Sequence, residues 1–131
     1  MPDPKAFIDT NILLYLFSES AEKADRAEEI VREGGRISIQ VLNELANVAR
    51  RKLNLSWDET SEILSLICSI CPADALTLET HETGIMIARR YQLSVYDSMI
   101  IAAALLAGCE ILYSEDMQDG LLINQQLCIL N

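Results

Sequence analysis

The chain has 131 residues, half of them hydrophobic, which suits one compact domain over residues 1–131 and excludes a disordered chain. Twenty acids against ten bases leave a net charge of −10, which argues against a general electrostatic grip on nucleic acid or on an anionic membrane. That balance leaves room for a site where metal ions sit on acidic side chains and themselves meet phosphate, and for a basic partner.

The N-terminus, MPDPKAFIDT, has neither a basic start nor a sustained apolar core, so no secretory signal is expected. The longest uncharged apolar run, residues 98–109, falls short of the roughly 20 residues that cross a bilayer, and the expectation is a cytoplasmic chain without membrane contact. Cys68 and Cys71 form a CxxC that closes a helical segment instead of opening one. No second cysteine pair exists and His81 is the only histidine, so a tetrahedral zinc site lacks ligands and the cysteines read as reduced, small hydrophobes.

Residues 6–8 form an apolar run that ends at a carboxylate, Asp9, and Thr10 can cap the apolar-rich helix that follows over 12–17. Asp9 then stands at the carboxyl end of a central strand, where open α/β sheets hold ligands, or else serves only as a cap or turn residue. Ser20 caps a helix over 21–33 that Gly34 and Gly35 stop. RISIQ (36–40) alternates like a strand, and a helix follows from about Val41 to Asn54, with Glu44 early and close to its apolar stripe. Ser56 and Glu59 form a capping box for a helix that ends before Pro72. ALTL (75–78) reads as a third strand, and Thr80 or His81 starts the next helix, inside which Gly84 permits close packing.

Ser94 caps a helix over 95–107 that is apolar on nearly every face and must be buried, yet Asp97 lies in its first turn. EILY (110–113) is a fourth strand, followed at once by Ser114, Glu115 and Asp116. Residues 118–126 look like a loop, and LCIL (127–130) is a last strand. Strands alternate with helices and hairpin signals are absent, so the fold class is α/β with a mainly parallel sheet.

In such a sheet the carboxyl ends of strands and the amino ends of helices share one edge, so Asp9, Glu44, Asp97 and Asp116 can converge. Carboxylates packed together repel, and must take up protons or bind cations. Magnesium or manganese answers that need, since hard cations take oxygen ligands, and such a site suits attack of water on a phosphodiester. Singly, Asp97 can serve the helix dipole, Asp116 a turn, and Glu44 a pairing with Arg36 or another base.

The four acids lie in FIDTNILLYLF, SIQVLNELANV, LSVYDSMIIAAALLAGC and LYSEDMQDG. On these motifs the chain resembles PIN-domain proteins of the VapC type, toxins of bacterial and archaeal toxin–antitoxin pairs, over nearly its whole length. The resemblance implies a three-layer α/β/α sandwich and a magnesium- or manganese-dependent ribonuclease that leaves a 3′-hydroxyl. It also implies a homodimer, neutralised by a small antitoxin whose C-terminal tail enters the acidic site. By the same resemblance Asp9, Glu44, Asp97 and Asp116 are the catalytic metal ligands, Thr10, Asn11 and Ser114 orient them, and Asp119 adds an outer acid. Two other readings stand beside it: a phosphatase or phosphotransferase with Asp9 as nucleophile, and a non-catalytic module whose acids hold metal for structure. Arg50, Arg51 and Lys52 either touch RNA phosphate or serve the helix dipole, and Arg89 and Arg90 likewise. Trp57 and Tyr15 belong either to the core or to a partner surface.

Overall fold

A computed structural model describes residues 5–131. β1 (Ala6–Ile8) buries Phe7 and Ile8 completely, as expected of a strand inside a sheet. Asp9 caps α1 (Thr10–Leu14), which tightens into one 3₁₀ turn over Tyr15–Phe17. The cap is therefore Asp9 and not Thr10: Asp9 keeps extended backbone, and its carboxylate accepts the Thr10 N–H. Ser20 caps α2 (Ala21–Glu33), and Gly34 stops it with a positive φ.

β2 (Ile37–Ser38) is shorter than the alternating run 36–40 suggests, because Ser38 turns at once into the cap of α3 (Ile39–Arg51). Ser56 and Glu59 make their reciprocal cap on α4 (Trp57–Ile70). The third strand is β3 (Ala73–Asp74), not residues 75–78. Thr77 instead caps α5 (Leu78–Tyr91), and the Thr80 side chain accepts the Thr77 N–H in return. Ser94 caps α6 (Val95–Leu106), buried at every position from Ser98 to Ala104, and β4 (Ile111–Tyr113) follows.

The stretch 118–126 contains β5 (Leu122–Ile123), which pairs antiparallel with β6 (Leu127–Leu130). The turn between them puts Asn124 and Gln125 at positive φ and closes through the Gln126 N–H onto the Ile123 carbonyl at 2.9 Å. Glycine is the usual marker of such a turn, and here asparagine and glutamine stand in its place, so the hairpin leaves no signal in the sequence.

β1 pairs with β4 and β4 with β6, all parallel, while β2 pairs with β3, also parallel. A bridge between Phe7 and Arg36 joins the two groups, so the strands lie in the order β3-β2-β1-β4-β6-β5. The sheet is thus mainly parallel and flanked by helices, an α/β/α sandwich with β1 at its centre. Arg36 reaches Asp74 through two hydrogen bonds, the Nε one at 3.0 Å, so its acid is Asp74 and not Glu44. No helix among the described residues is long and apolar enough to cross a membrane. All four cysteines are free thiols, and burial pushes Cys71 and Cys109 up to about 11, so both pack as protonated hydrophobes.

Gly84 lets α5 and α6 approach closely: a Cβ there would stand 2.5 Å from the Met99 Sδ and 3.4 Å from its Cα. Gly84→Val must displace the buried Met99 side chain and is expected to destabilise the protein by about 1–3 kcal/mol, measured by urea unfolding against the wild type.

Candidate active site

The strand register sets the first contact. Ile8 lies opposite Tyr113 in the parallel β1–β4 pair, so the next residues on each strand, Asp9 and Ser114, leave the sheet side by side. Their backbones continue the ladder, Asp9 N–H to the Tyr113 carbonyl at 3.0 Å and Ser114 N–H to the Leu130 carbonyl at 2.9 Å. The Ser114 hydroxyl donates to Asp9 Oδ2 at 2.7 Å and accepts the Asp116 N–H at 3.3 Å. One buried hydroxyl therefore ties Asp9 to the loop that carries Asp116.

Thr10 makes a second joint. Its N–H donates to Asp9 Oδ1 at 2.7 Å and its hydroxyl to Glu44 Oε2 at 2.7 Å, linking the end of β1 to α3. Asn11 adds a third, its Oδ1 accepting the Glu115 N–H at 3.4 Å, while its Nδ2 is buried without a partner. Asp97, in the first turn of α6, presents its backbone N–H to the Ser94 hydroxyl at 3.1 Å.

The raised carboxyls of Asp9 and Asp97 share their main cause, burial, and two lesser ones. Asp9 is only 3 % exposed, and its carboxyl is raised from 3.8 to about 6. Burial is the main cause, with the charges of Glu44 and Asp116 adding to it, against the stabilising hydrogen bonds from Ser114 and Thr10. Asp97 is also raised, by burial first and then by the charges of Asp116 and Glu44, while its hydrogen bond with Ser94 opposes the shift. Glu44 and Asp116 thus act on both Asp9 and Asp97.

The Asp119 carboxylate accepts the Asn131 N–H at 2.9 Å, and the Asn131 side-chain amide donates to the Ser114 carbonyl. The sequence reading missed Gln40, whose amide donates to Glu44 Oε1 at 3.4 Å and to the Tyr96 carbonyl at 3.1 Å. The signal was available in the spacing, because Gln40 precedes Glu44 by four residues on the same helix face. Tyr15, read from the sequence as core or partner surface, has a further contact that the reading did not foresee: its hydroxyl donates to Glu115 at 2.8 Å and braces the loop before Asp116.

The donor set is wholly oxygen, which fits a hard divalent cation better than zinc or a cluster. A carboxylate pushed towards neutrality by burial, with two other carboxylates adding to the shift, is relieved by positive charge. Among the described residues, no three acids, histidines or cysteines are gathered tightly enough to share one ion.

The sequence profile of the PIN domain matches residues 6–118, a span that includes all four acids. The chain belongs to the PIN-domain family. No curated protein matched it by sequence. Solved structures share the PIN fold over most of its length. A toxin–antitoxin complex from Klebsiella pneumoniae aligns with a TM-score of 0.73 at 22% identity, covering 96% of this chain and 96% of that one. VapBC2 from Rickettsia felis, bound to a promoter DNA fragment, gives 0.69 at 16% identity, with 96% and 98% covered. The sarcin–ricin-loop-cleaving toxin VapC20 from Mycobacterium tuberculosis gives 0.67 at 14%, with 82% and 86% covered. The backbone of this PIN domain is therefore the one on which VapC-type toxins are built.

Because the folded pKa of Asp9 lies above its ordinary value, the folded chain holds a proton that the unfolded chain releases between about pH 4 and pH 6. Stability therefore falls as pH rises through that window. In chelator, Asp9→Asn is expected to stabilise the protein by up to about 3 kcal/mol at pH 8. Asparagine keeps the helix cap, and the gain should vanish near pH 4; urea titrations at the two pH values measure it.

Proposed function

We propose that this PIN domain is a magnesium- or manganese-dependent endoribonuclease and the toxin of a toxin–antitoxin pair. The observation that carries the reading is the set of hydrogen bonds that ties Asp9 through Thr10 to Glu44, through Ser114 to the loop of Asp116, and Glu44 through Gln40 to the first turn of α6, where Asp97 lies. Family membership supports nuclease chemistry at this site. VapC20's cleavage of the sarcin–ricin loop, given in its own description, supports RNA as the substrate class.

In this reading the four acids hold one or two metal ions, and Thr10, Asn11 and Ser114 hold the acids. A bound Mg2+ or Mn2+ supplies a water of lowered pKa and positive charge near the leaving oxygen. Asp9 is the anchor, immobilised through both oxygens by Ser114 and Thr10. Glu44 and Asp97 come from separate helices and bound the edge on two sides, while Asp116 rides on the loop that Ser114, Asn11 and Tyr15 steady. No histidine or cysteine is required, in a chain with one histidine. Asn11, where a phosphotransferase of that kind carries a second Asp, speaks against Asp9 as a nucleophile in phosphoryl transfer.

A small antitoxin is the proposed partner. The Klebsiella and Rickettsia structures were solved as toxin–antitoxin assemblies, and a basic antitoxin tail would complement the acidic edge. A homodimer is part of the same proposal, supported by the exposed apolar row Leu78, Ile85 and Met86 along α5.

The test is cleavage of RNA by the purified chain with Mg2+ or Mn2+ and with chelator. Asp9→Asn and Asp97→Asn are expected to lower the metal-dependent rate by at least about 100-fold while circular dichroism stays native. Wild-type rates in either variant, or undiminished cleavage in chelator, would reject the assignment. A trapped aspartyl-phosphate would favour phosphoryl transfer, and metal binding without cleavage a structural role.

A further inference from the structure

We propose that single-stranded RNA leaves the carboxylate edge along α3 and is held at its far end by Arg51 and by the ring of Trp57, a reading that rests on the ribonuclease assignment. Glu44, Asn47 and Arg51 fall on one stripe of α3, spaced by three and four residues, so the path from the acid to the guanidinium is about 10 Å. Two adjoining depressions follow that stripe and share Asn47. The first, about 460 Å³, is bounded by Gln40, Glu44 and Tyr96; the second, about 350 Å³, by Arg50, Arg51 and Trp57. The groove thus starts at a residue of the proposed site and ends at an aromatic ring.

The ring is prepared for a second occupant. Arg50 Nη1 donates to the Leu55 carbonyl at 2.7 Å, and the guanidinium lies 4.2 Å from the centre of the Trp57 ring, clamping it. Trp57 is nevertheless 66 % exposed, which argues that the ring surface Arg50 leaves uncovered is open to a base. Arg51 and Lys52 beside it are exposed and make no ion pair among the described residues. Three of the chain's ten basic residues gather here, on a protein whose net charge is −10. Of the neighbouring acids, Glu59 is turned back onto the Ser56 N–H, leaving Asp58 on the surface. Positive charge for phosphate next to an anchored aromatic is the arrangement that grips a single strand with little regard to sequence.

Trp57 is the sole tryptophan, so its emission reports on the groove directly. Titration of the full chain in chelator with an oligouridylate of about 12 nucleotides should quench it saturably. Arg51→Ala should weaken that binding about five-fold and lower the slope of log affinity against log salt by about 0.7. In cleavage of a long RNA, Trp57→Ala should raise KM about ten-fold and leave kcat unchanged. Emission indifferent to RNA, an unchanged KM, or an emission shift that depends only on protein concentration would overturn the proposal, the last by showing that a second copy covers the ring. Quenching without cleavage keeps the groove and removes the ribonuclease reading, whereas cleavage with a silent Trp57 does the reverse.

Discussion

The carboxylate of Asp9 is buried at the centre of the sheet and held there by uncharged donors. Burial raises its pKa most, hydrogen bonds from Ser114 and Thr10 oppose the shift, and the charges of Glu44 and Asp116 add to it, so it ends near 6 instead of 3.8. An isolated buried carboxylate is costly, and hydrogen bonds from neutral groups offset only part of that cost. The surrounding fold holds the strain in place. β1 lies between β2 and β4, Phe7 and Ile8 are wholly buried, and the Asp9 backbone is fixed to the Tyr113 carbonyl. The side chain is therefore not free to swing into water.

The same hydrogen bonds that hold Asp9 assemble the rest of the edge. Ser114 bridges Asp9 to the loop of Asp116, and Thr10 bridges Asp9 to Glu44 on α3, so two hydroxyls join three segments far apart in sequence. This division of labour explains why polar residues flank the acids: hydroxyls orient carboxylates without adding charge, leaving the net negative field for a cation. Stability and function pull in opposite directions at this edge, as expected where like charges are kept together for chemistry.

Much of this was legible in the sequence, for a physical reason. The βα alternation, the caps at Ser20, Ser56 and Ser94, and the all-round apolar α6 are local signals, and each appears in the structure near its expected place. The four acids were singled out because each sits just after a strand or near the start of a helix, an address on the edge of a parallel sheet where strand ends and helix starts meet. What failed was short or lacked its usual marker. Strands of two residues, such as β3, carry too little periodicity to compete with the Thr77 cap that follows, and the β5–β6 turn uses Asn124 and Gln125 where glycine would have announced it. Partner choice between side chains was equally hidden: Arg36 takes Asp74 and Asp119 takes the Asn131 N–H, pairings that depend on strand order and not on sequence spacing.

The proposed action of an acidic chain on RNA is contradictory only if charge is counted over the whole surface. In the proposed reading the negative charge at the strand edge recruits metal, and the bases at the end of α3 lie a short distance away along one helix face. The claim beneath all of this is that divalent cations neutralise the four acids together. Crystals soaked in Mn2+ and measured at the manganese absorption edge test it most directly. The account predicts anomalous density bonded to Asp9 and to at least two of Glu44, Asp97 and Asp116; manganese bound elsewhere while this edge stays empty would contradict it.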